Sequence, residues 1–228
     1  MELFDDPAAD AATVVASLKD VARANRFLGG AAAALRRLDE LLRAAPRGAT
    51  LTLLDVGTGC GDLPRAARAR ALRAGIRLRL LAVERHPAAA RHAASGGDLT
   101  VLLADAVRLP FAARSVDLVL CSQLLHHFRG EAVTSIVGEL DRVARLGVVI
   151  ADLRPHPLAA LGLWLASYPL HFHPVSRRDG VTSVLRGFTP AALRRSCAEA
   201  GVAAEVRTHA MFRITAAWRP DGARPESR

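Results

Sequence analysis

Residues 53–64 read LLDVGTGCGDLP: an apolar run ends in Asp55, glycine recurs at every second position (Gly57, Gly59, Gly61), and a second acid, Asp62, follows. A strand that runs into a glycine-rich turn and then a helix lays a ligand across the helix amino terminus. The glycines permit positive φ and let that ligand approach bare backbone. A loop built for pyrophosphate keeps clear of acids, because the helix end must attract a dianion. Here Asp55 and Asp62 flank the glycines. Two carboxylates repel pyrophosphate but suit a ligand carrying an ammonium and a sulfonium. S-adenosylmethionine carries both. For Asp62 two roles stay open, cofactor contact or N-cap of the following helix.

Two further apolar runs end in acids. Residues 76–84 (IRLRLLAVE) close on Glu84, about twenty residues past the loop, the offset at which an acid takes the ribose hydroxyls of an adenosyl group. Residues 99–105 (LTVLLAD) close on Asp105, which could accept from an adenine amino group. Then comes LPFAARSVDLVLCSQLLHHF, residues 109–128.

From about Leu51 to Leu153 the chain resembles the class I S-adenosylmethionine-dependent methyltransferases, in particular the branch of ubiquinone and menaquinone C-methyltransferases and small-molecule O-methyltransferases. The run of DxGxGxG, strand-end acid, DAxxLPF, and VDLV leading to LHHF carries the resemblance. It implies that Asp55, Gly57, Thr58, Gly59 and Gly61 cradle the methionine part of the cofactor, and that Glu84 and the adjoining Arg85 hold the ribose. Asp105 and Ala106 would face the adenine. Ser122 and Gln123 would lie beside the methionine carboxylate or the transferred methyl. S-adenosylhomocysteine is the implied product.

The reactive methyl then points to residues after the fourth and fifth strands. His126 and His127 fall after the fourth, and histidine takes a proton near neutral pH. They are the candidate catalytic bases, although adjacent residues point to different sides and local hydrogen bonding is the plainer alternative. Asp152 and Arg154 end the fifth strand, to contact substrate or to form a surface ion pair. The following stretch holds Trp164, Tyr168, His171 and His173 among many leucines. With Arg154, these four are the candidate acceptor-binding residues. The apolar run suits a lid over a hydrophobic acceptor, or equally a helix packed on the core or on a second copy of the chain. His171 and His173 share one side of an extended segment, but no carboxylate or cysteine ligand stands near them in sequence, and no metal is expected.

Positioning these groups requires alternating strands and helices. Strands are expected at 50–56, 77–84, 100–104, 116–122 and 147–153, with closing strands at 204–212 and 213–218. Helices are expected at 14–27, 31–45, 63–74, 87–94, 131–144 and 190–200. The pattern predicts an α/β fold: a Rossmann-like, doubly wound, seven-stranded and mostly parallel sheet with amino-terminal helices and a lid insertion after strand five. Residues 1–48 read as a helical cap, 49–220 as the methyltransferase domain with its insertion at 154–186, and 221–228 as a disordered tail.

Composition bounds the partners. The 228 residues are 51% hydrophobic, enough for one domain with a full core. A net charge of +9 invites a nucleic-acid reading, but Lys19 is the only lysine among 31 basic residues. The arginines are dispersed over helical polar positions such as Arg65, Arg68, Arg70 and Arg73, and aromatic residues for base stacking reach only 4%. Three cysteines without CxxC spacing fit reduced thiols in a cytoplasmic protein. The acidic start MELFDDPAAD is unlike a signal peptide, and no run reaches the roughly 18 apolar residues of a membrane helix. The expected activity is methyl transfer to a small hydrophobic acceptor: a phenol, a quinol or a polyketide-like aromatic of bacterial secondary metabolism. RNA or protein methylation and a non-catalytic, cofactor-binding partner subunit are the alternatives. Against base methylation, SQLL stands where an NPPY-type tetrad would be.

Overall fold

The apolar runs become strands because their residues alternate between two layers. In β1 (Thr50–Val56), Leu51 and Leu53 enter one core and Leu54 and Val56 the other. In β4 (Val116–Ser122), Leu118 and Leu120 separate from Val119 and Cys121 in the same way. Strands buried on both faces belong to a parallel sheet between helical layers. The computed structural model describes residues 10–221. The expected tail, beyond Asp221, and the acidic amino-terminal stretch, before Asp10, lie outside the described residues.

The sheet also contains β2 (Arg77–Glu84), β3 (Thr100–Leu103), β5 (Ala144–Leu153), β6 (Glu205–His209) and β7 (Arg213–Trp218), in the order β3-β2-β1-β4-β5-β7-β6. β1 to β5 are parallel, and β7 runs antiparallel between β5 and β6. The order reverses between β1 and β4, which opens a crevice at the carboxyl ends of those strands. Helices α1 (Ala11–Phe27) and α2 (Gly30–Leu42) precede the sheet. From α2, from α3 (Asp62–Arg73) and from α4 (Pro87–Ala94), Leu38, Leu63, Ala67 and Ala93 pack on one face. From α5 (Glu131–Val143) and α8 (Pro190–Glu199), Ile136, Leu140, Leu193 and Cys197 pack on the other.

The insertion forms two helices, α6 (Pro157–Ala166) and α7 (Pro174–Leu185), each with proline in its first turn and a histidine, His156 or His173, as N-cap. Ala160 and Val184 close on Leu153 at the end of β5. Gly187 allows the return: a Cβ there would lie 2.3 Å from the Leu153 carbonyl oxygen, to which the N–H of Phe188 donates at 2.8 Å. β6 ends at His209 rather than at the expected Phe212. Met211 and Phe212 take positive φ, 57° and 53°, and make the turn into β7.

Two hydrogen bonds fasten the insertion to α1. The N–H of His173 donates to Asp20 Oδ2 at 2.8 Å, and Ser176 Oγ donates to Ser17 Oγ at 3.1 Å. Asp20, Ser17 and Ser176 are all buried. Buried polar groups paired in this way fix how the insertion sits on α1.

Candidate active site

The glycine loop is held from beneath by β2, where Gly57 and Thr58 donate their N–H groups to the Val83 carbonyl at 2.9 and 3.3 Å. Gly57 and Gly59 have φ of 76° and 55°. A Cβ on Gly57 would meet the Leu124 side chain at 3.0 Å, so a larger residue would fill the cradle. Asp55 is 2% exposed and accepts from the Thr58 hydroxyl at 2.7 Å. Burial pushes its carboxyl up to about 7; the Thr58 hydrogen bond opposes this, and the nearby charges of Asp62 and Glu84 add to it. A buried acid between two others is a poor seat for an anion and a good one for a cation.

Glu84 has both oxygens engaged. Oε1 accepts from the N–H groups of Arg85 and His86 at 2.9 and 3.0 Å, and Oε2 accepts from Gly59 at 3.0 Å. It ties the glycine loop to the end of β2, which leaves one acceptor site, on Oε2, for a ribose hydroxyl. Asp105 Oδ1 accepts from Val107 at 3.1 Å, which orients the carboxylate. Asp55, Gly57, Thr58, Gly59, Glu84 and Arg85 line one cavity with Asp105, Ala106, Ser122 and Gln123. Gly61 does not. It is the left-handed N-cap of α3, where a Cβ would strike Leu99 and Arg65 at 2.7 Å. Asp62 is correspondingly the first helical residue, not the cap, and reaches the cavity rim.

The cavity has a volume of about 510 Å³, within the range of small-molecule sites. From the cofactor loop it runs across the end of β4 to a second half walled by α1, α6 and α7. A buried pair stands at the end of β4 and β5, and its histidine lines the cavity. His126, on a 3-10 turn (Leu125–His127) after β4, places Nδ1 2.7 Å from Asp152 Oδ1 on β5. Asp152 also accepts from the N–H groups of Leu153 at 2.7 Å and His126 at 3.3 Å. Burial alone would raise its carboxyl, but the His126 charge, the imidazole hydrogen bond and these backbone donors outweigh it and hold it below the usual range. An ionised carboxylate only accepts, so whenever the imidazole is neutral its one proton belongs on Nδ1 and Nε2 has the lone pair. The arrangement can take a proton from a hydroxyl.

Asp152 is thus no half of a surface ion pair. Arg154 lies outside the cavity lining, its guanidinium 5.4 Å from the Phe212 ring. The other four expected acceptor contacts also fall outside the lining. Trp164 and Tyr168 are 42% and 48% exposed and pack edge to face on the outer side of α6, with Arg177 3.8 Å from the Tyr168 ring. His171 is exposed, and His173 is spent on the cap of α7. The inner face of the insertion lines the cavity instead, through Leu158, Leu163, Phe172 and Val184. Helical rotation explains the reversal: Leu163 and Trp164 are adjacent in sequence but about 100° apart around α6. His127 lines the cavity beside His126, ring centroids 4.3 Å apart.

Arg213, the first residue of β7, is 6% exposed and lines the cavity, and nothing in the sequence marks it. Asn25, on α1, lines it as well, as a polar residue of an amino-terminal helix folded over the site would. Only the pairing of Leu153 with Arg213 brings the arginine to the end of β5.

Residues 54–151 match the family model described as a methyltransferase domain. No protein of curated function matches the chain by sequence. Among solved structures, human N-acetylserotonin methyltransferase in complex with SAM is similar at 12% identity and a TM-score of 0.65, over 96% of this chain and 59% of that one. A SAM-dependent methyltransferase from Aquifex aeolicus is similar at 16% identity and a TM-score of 0.56, over 81% and 87%. Magnesium protoporphyrin IX methyltransferase from Synechocystis PCC 6803 with bound SAH is similar at 15% identity and a TM-score of 0.52, over 82% of each. The domain match over residues 54–151, the Rossmann-like sheet and the acid-flanked glycine cradle together support an S-adenosylmethionine-dependent methyltransferase, an enzyme.

Proposed function

We propose that the chain methylates a small hydrophobic acceptor bearing an acidic hydroxyl, such as a phenol or quinol, with His126 as general base and Asp152 holding its ring. The observation that carries the reading is the buried His126–Asp152 contact of 2.7 Å at the end of β4 and β5, whose histidine lines the cavity. The bound cofactor supplies a methyl group on a sulfonium, already a strong electrophile. The protein's part is to align the acceptor and remove one proton. His126 Nε2 takes the hydroxyl proton, and the Asp152 carboxylate offsets the imidazolium charge that forms. Proton removal from a phenol also activates the adjoining ring carbon, so product analysis separates O- from C-methylation.

The leucines, Phe172 and Val184 of the lid half support an apolar acceptor over a polyanion. No helix among the described residues is long and apolar enough to cross a membrane. The test is incubation of the protein with S-adenosylmethionine and a panel of hydroxylated arenes, read by mass spectrometry for matched S-adenosylhomocysteine and methylated product. Turnover that His126→Ala abolishes supports the reading. Methyl incorporation into RNA or protein, with none into the arenes, would sink it.

A further inference from the structure

Among the described residues, Arg213 is the one strongly buried arginine that lines the cavity. Its Nε donates to the Leu28 carbonyl at 3.1 Å, and its Nη1 is buried with no partner. Asp152 lies close by, but its carboxylate already accepts from the His126 ring and from two backbone N–H groups, and no hydrogen bond joins it to the arginine. A guanidinium taken out of water with an unmet N–H is unfavourable unless an anion completes it. Burial lowers Arg213 to about 10, with Asp152 acting the other way, which leaves it cationic at neutral pH.

Its place in the sheet decides which anion. The cofactor loop follows β1 and the dyad stands on β4 and β5, whereas Arg213 opens β7. Three strand spacings, about 14 Å, separate β1 from β7. Arg213 therefore lies on the far side of the base from the glycine cradle. A second donor adjoins it: Gln123 Nε2 is buried without a partner, and Gln123 lines with Arg213, Asp152 and Gly30 a crevice too tight for water. A Cβ on Gly30 would come within 3.1 Å of that nitrogen and 2.5 Å of Asn25 Oδ1, so only glycine lets the two amide side chains sit this close to the backbone.

We propose that Arg213 is the specificity residue of the acceptor half and binds a carboxylate, so that the acceptor is a hydroxylated aromatic acid with its acid at Arg213 and its hydroxyl at His126. This rests on the hydroxyl-methylation reading above. Arg213 recognises the planar carboxylate through its guanidinium fork, and Gln123 adds an amide N–H.

The experiment titrates full-length protein saturated with S-adenosylhomocysteine with the three hydroxybenzoate isomers, 3-hydroxy-2-naphthoate and the matching carboxamides, by calorimetry. The best acid should bind about 10- to 100-fold more tightly than its amide, the range of a charge-assisted pair. Arg213→Gln should erase that preference, Arg213→Lys should restore part of it, and S-adenosylhomocysteine affinity should hold in both. The acid-against-amide comparison in the unaltered protein stands even if Arg213→Gln fails to fold. Amides binding as well as acids, or no member of the panel binding, overturns the proposal. Loss of S-adenosylhomocysteine affinity in folded Arg213→Gln overturns it too, because the carboxylate is then the cofactor's. Turnover of the same panel separates the two readings. Neutral phenols methylated without preference for acids leave the hydroxyl reading intact and remove the subsite. Arginine-dependent binding of acids without methyl transfer keeps the subsite and removes the hydroxyl reading.

Discussion

The imidazole of His126 and the carboxylate of Asp152, 26 residues apart, meet at 2.7 Å in a site where each side chain is at most 3% exposed. A buried ring held by one nitrogen leaves the other as a base of fixed orientation. His126→Ala should lower kcat about 10²- to 10⁴-fold with cofactor affinity unchanged, and His127→Ala should have a smaller effect. Steady-state kinetics and calorimetry on the two variants check this. A normal kcat in folded His126→Ala would leave alignment as the only source of rate.

Asp55 couples the cofactor to pH. Its carboxyl titrates near 7 in the folded chain and near 3.8 when free, so the folded state favours the protonated form. That contribution to stability is complete below pH 3.8 and is lost as pH rises through about 7. Cofactor-free protein should therefore lose resistance to urea between about pH 4 and 7 and level off above that, and Asp55→Asn should flatten the decline. A cationic ligand favours the ionised acid, so S-adenosylmethionine should bind more tightly as pH rises through 7 and release protons on binding at pH 6. Calorimetry in buffers of different ionisation enthalpy counts those protons, and proton uptake would contradict the placement.

Glu84 joins the glycine loop to the end of β2 through three backbone N–H groups. Glu84→Ala should weaken S-adenosylmethionine binding by about 1.5–3 kcal/mol, the scale of charge-assisted hydrogen bonds. Unchanged affinity in a folded variant would remove Glu84 from the cofactor site.

Asp20 spans 153 residues to accept from His173. Asp20→Ala would leave that buried N–H unmet and should destabilise the lid by about 1–3 kcal/mol. Hydrogen exchange should quicken over residues 173–185 while the strands stay protected, and acceptor KM should rise more than cofactor KM. Unchanged exchange there would show that apolar packing alone holds the lid.

Opposite faces of α6 should respond differently. Trp164→Ala removes an outward-facing ring and should leave acceptor KM within about twofold, as surface changes do. Leu163→Trp intrudes on the cavity and should raise acceptor KM strongly. A large acceptor effect from Trp164→Ala would mean the lid turns on binding.

The cofactor half was legible in the chain because its chemistry is local. Strand, glycine turn and helix are consecutive, and backbone conformation within LLDVGTGCG sets the cradle. Each strand-end acid is carried to the same sheet edge by parallel topology, whatever packs elsewhere. The acceptor half is non-local. His126 stood out by type, but its partner Asp152 is set by the β4–β5 register. Arg213 enters only through the antiparallel return of β7 beside β5. The lid shows the limit most sharply. Composition marked residues 157–172 as apolar, yet α6 is apolar nearly all round, so sequence periodicity could not say which face turns inward. Packing on Leu153 and the Asp20 contact decided that, and they turned Leu163 to the cavity while Trp164 faced outward.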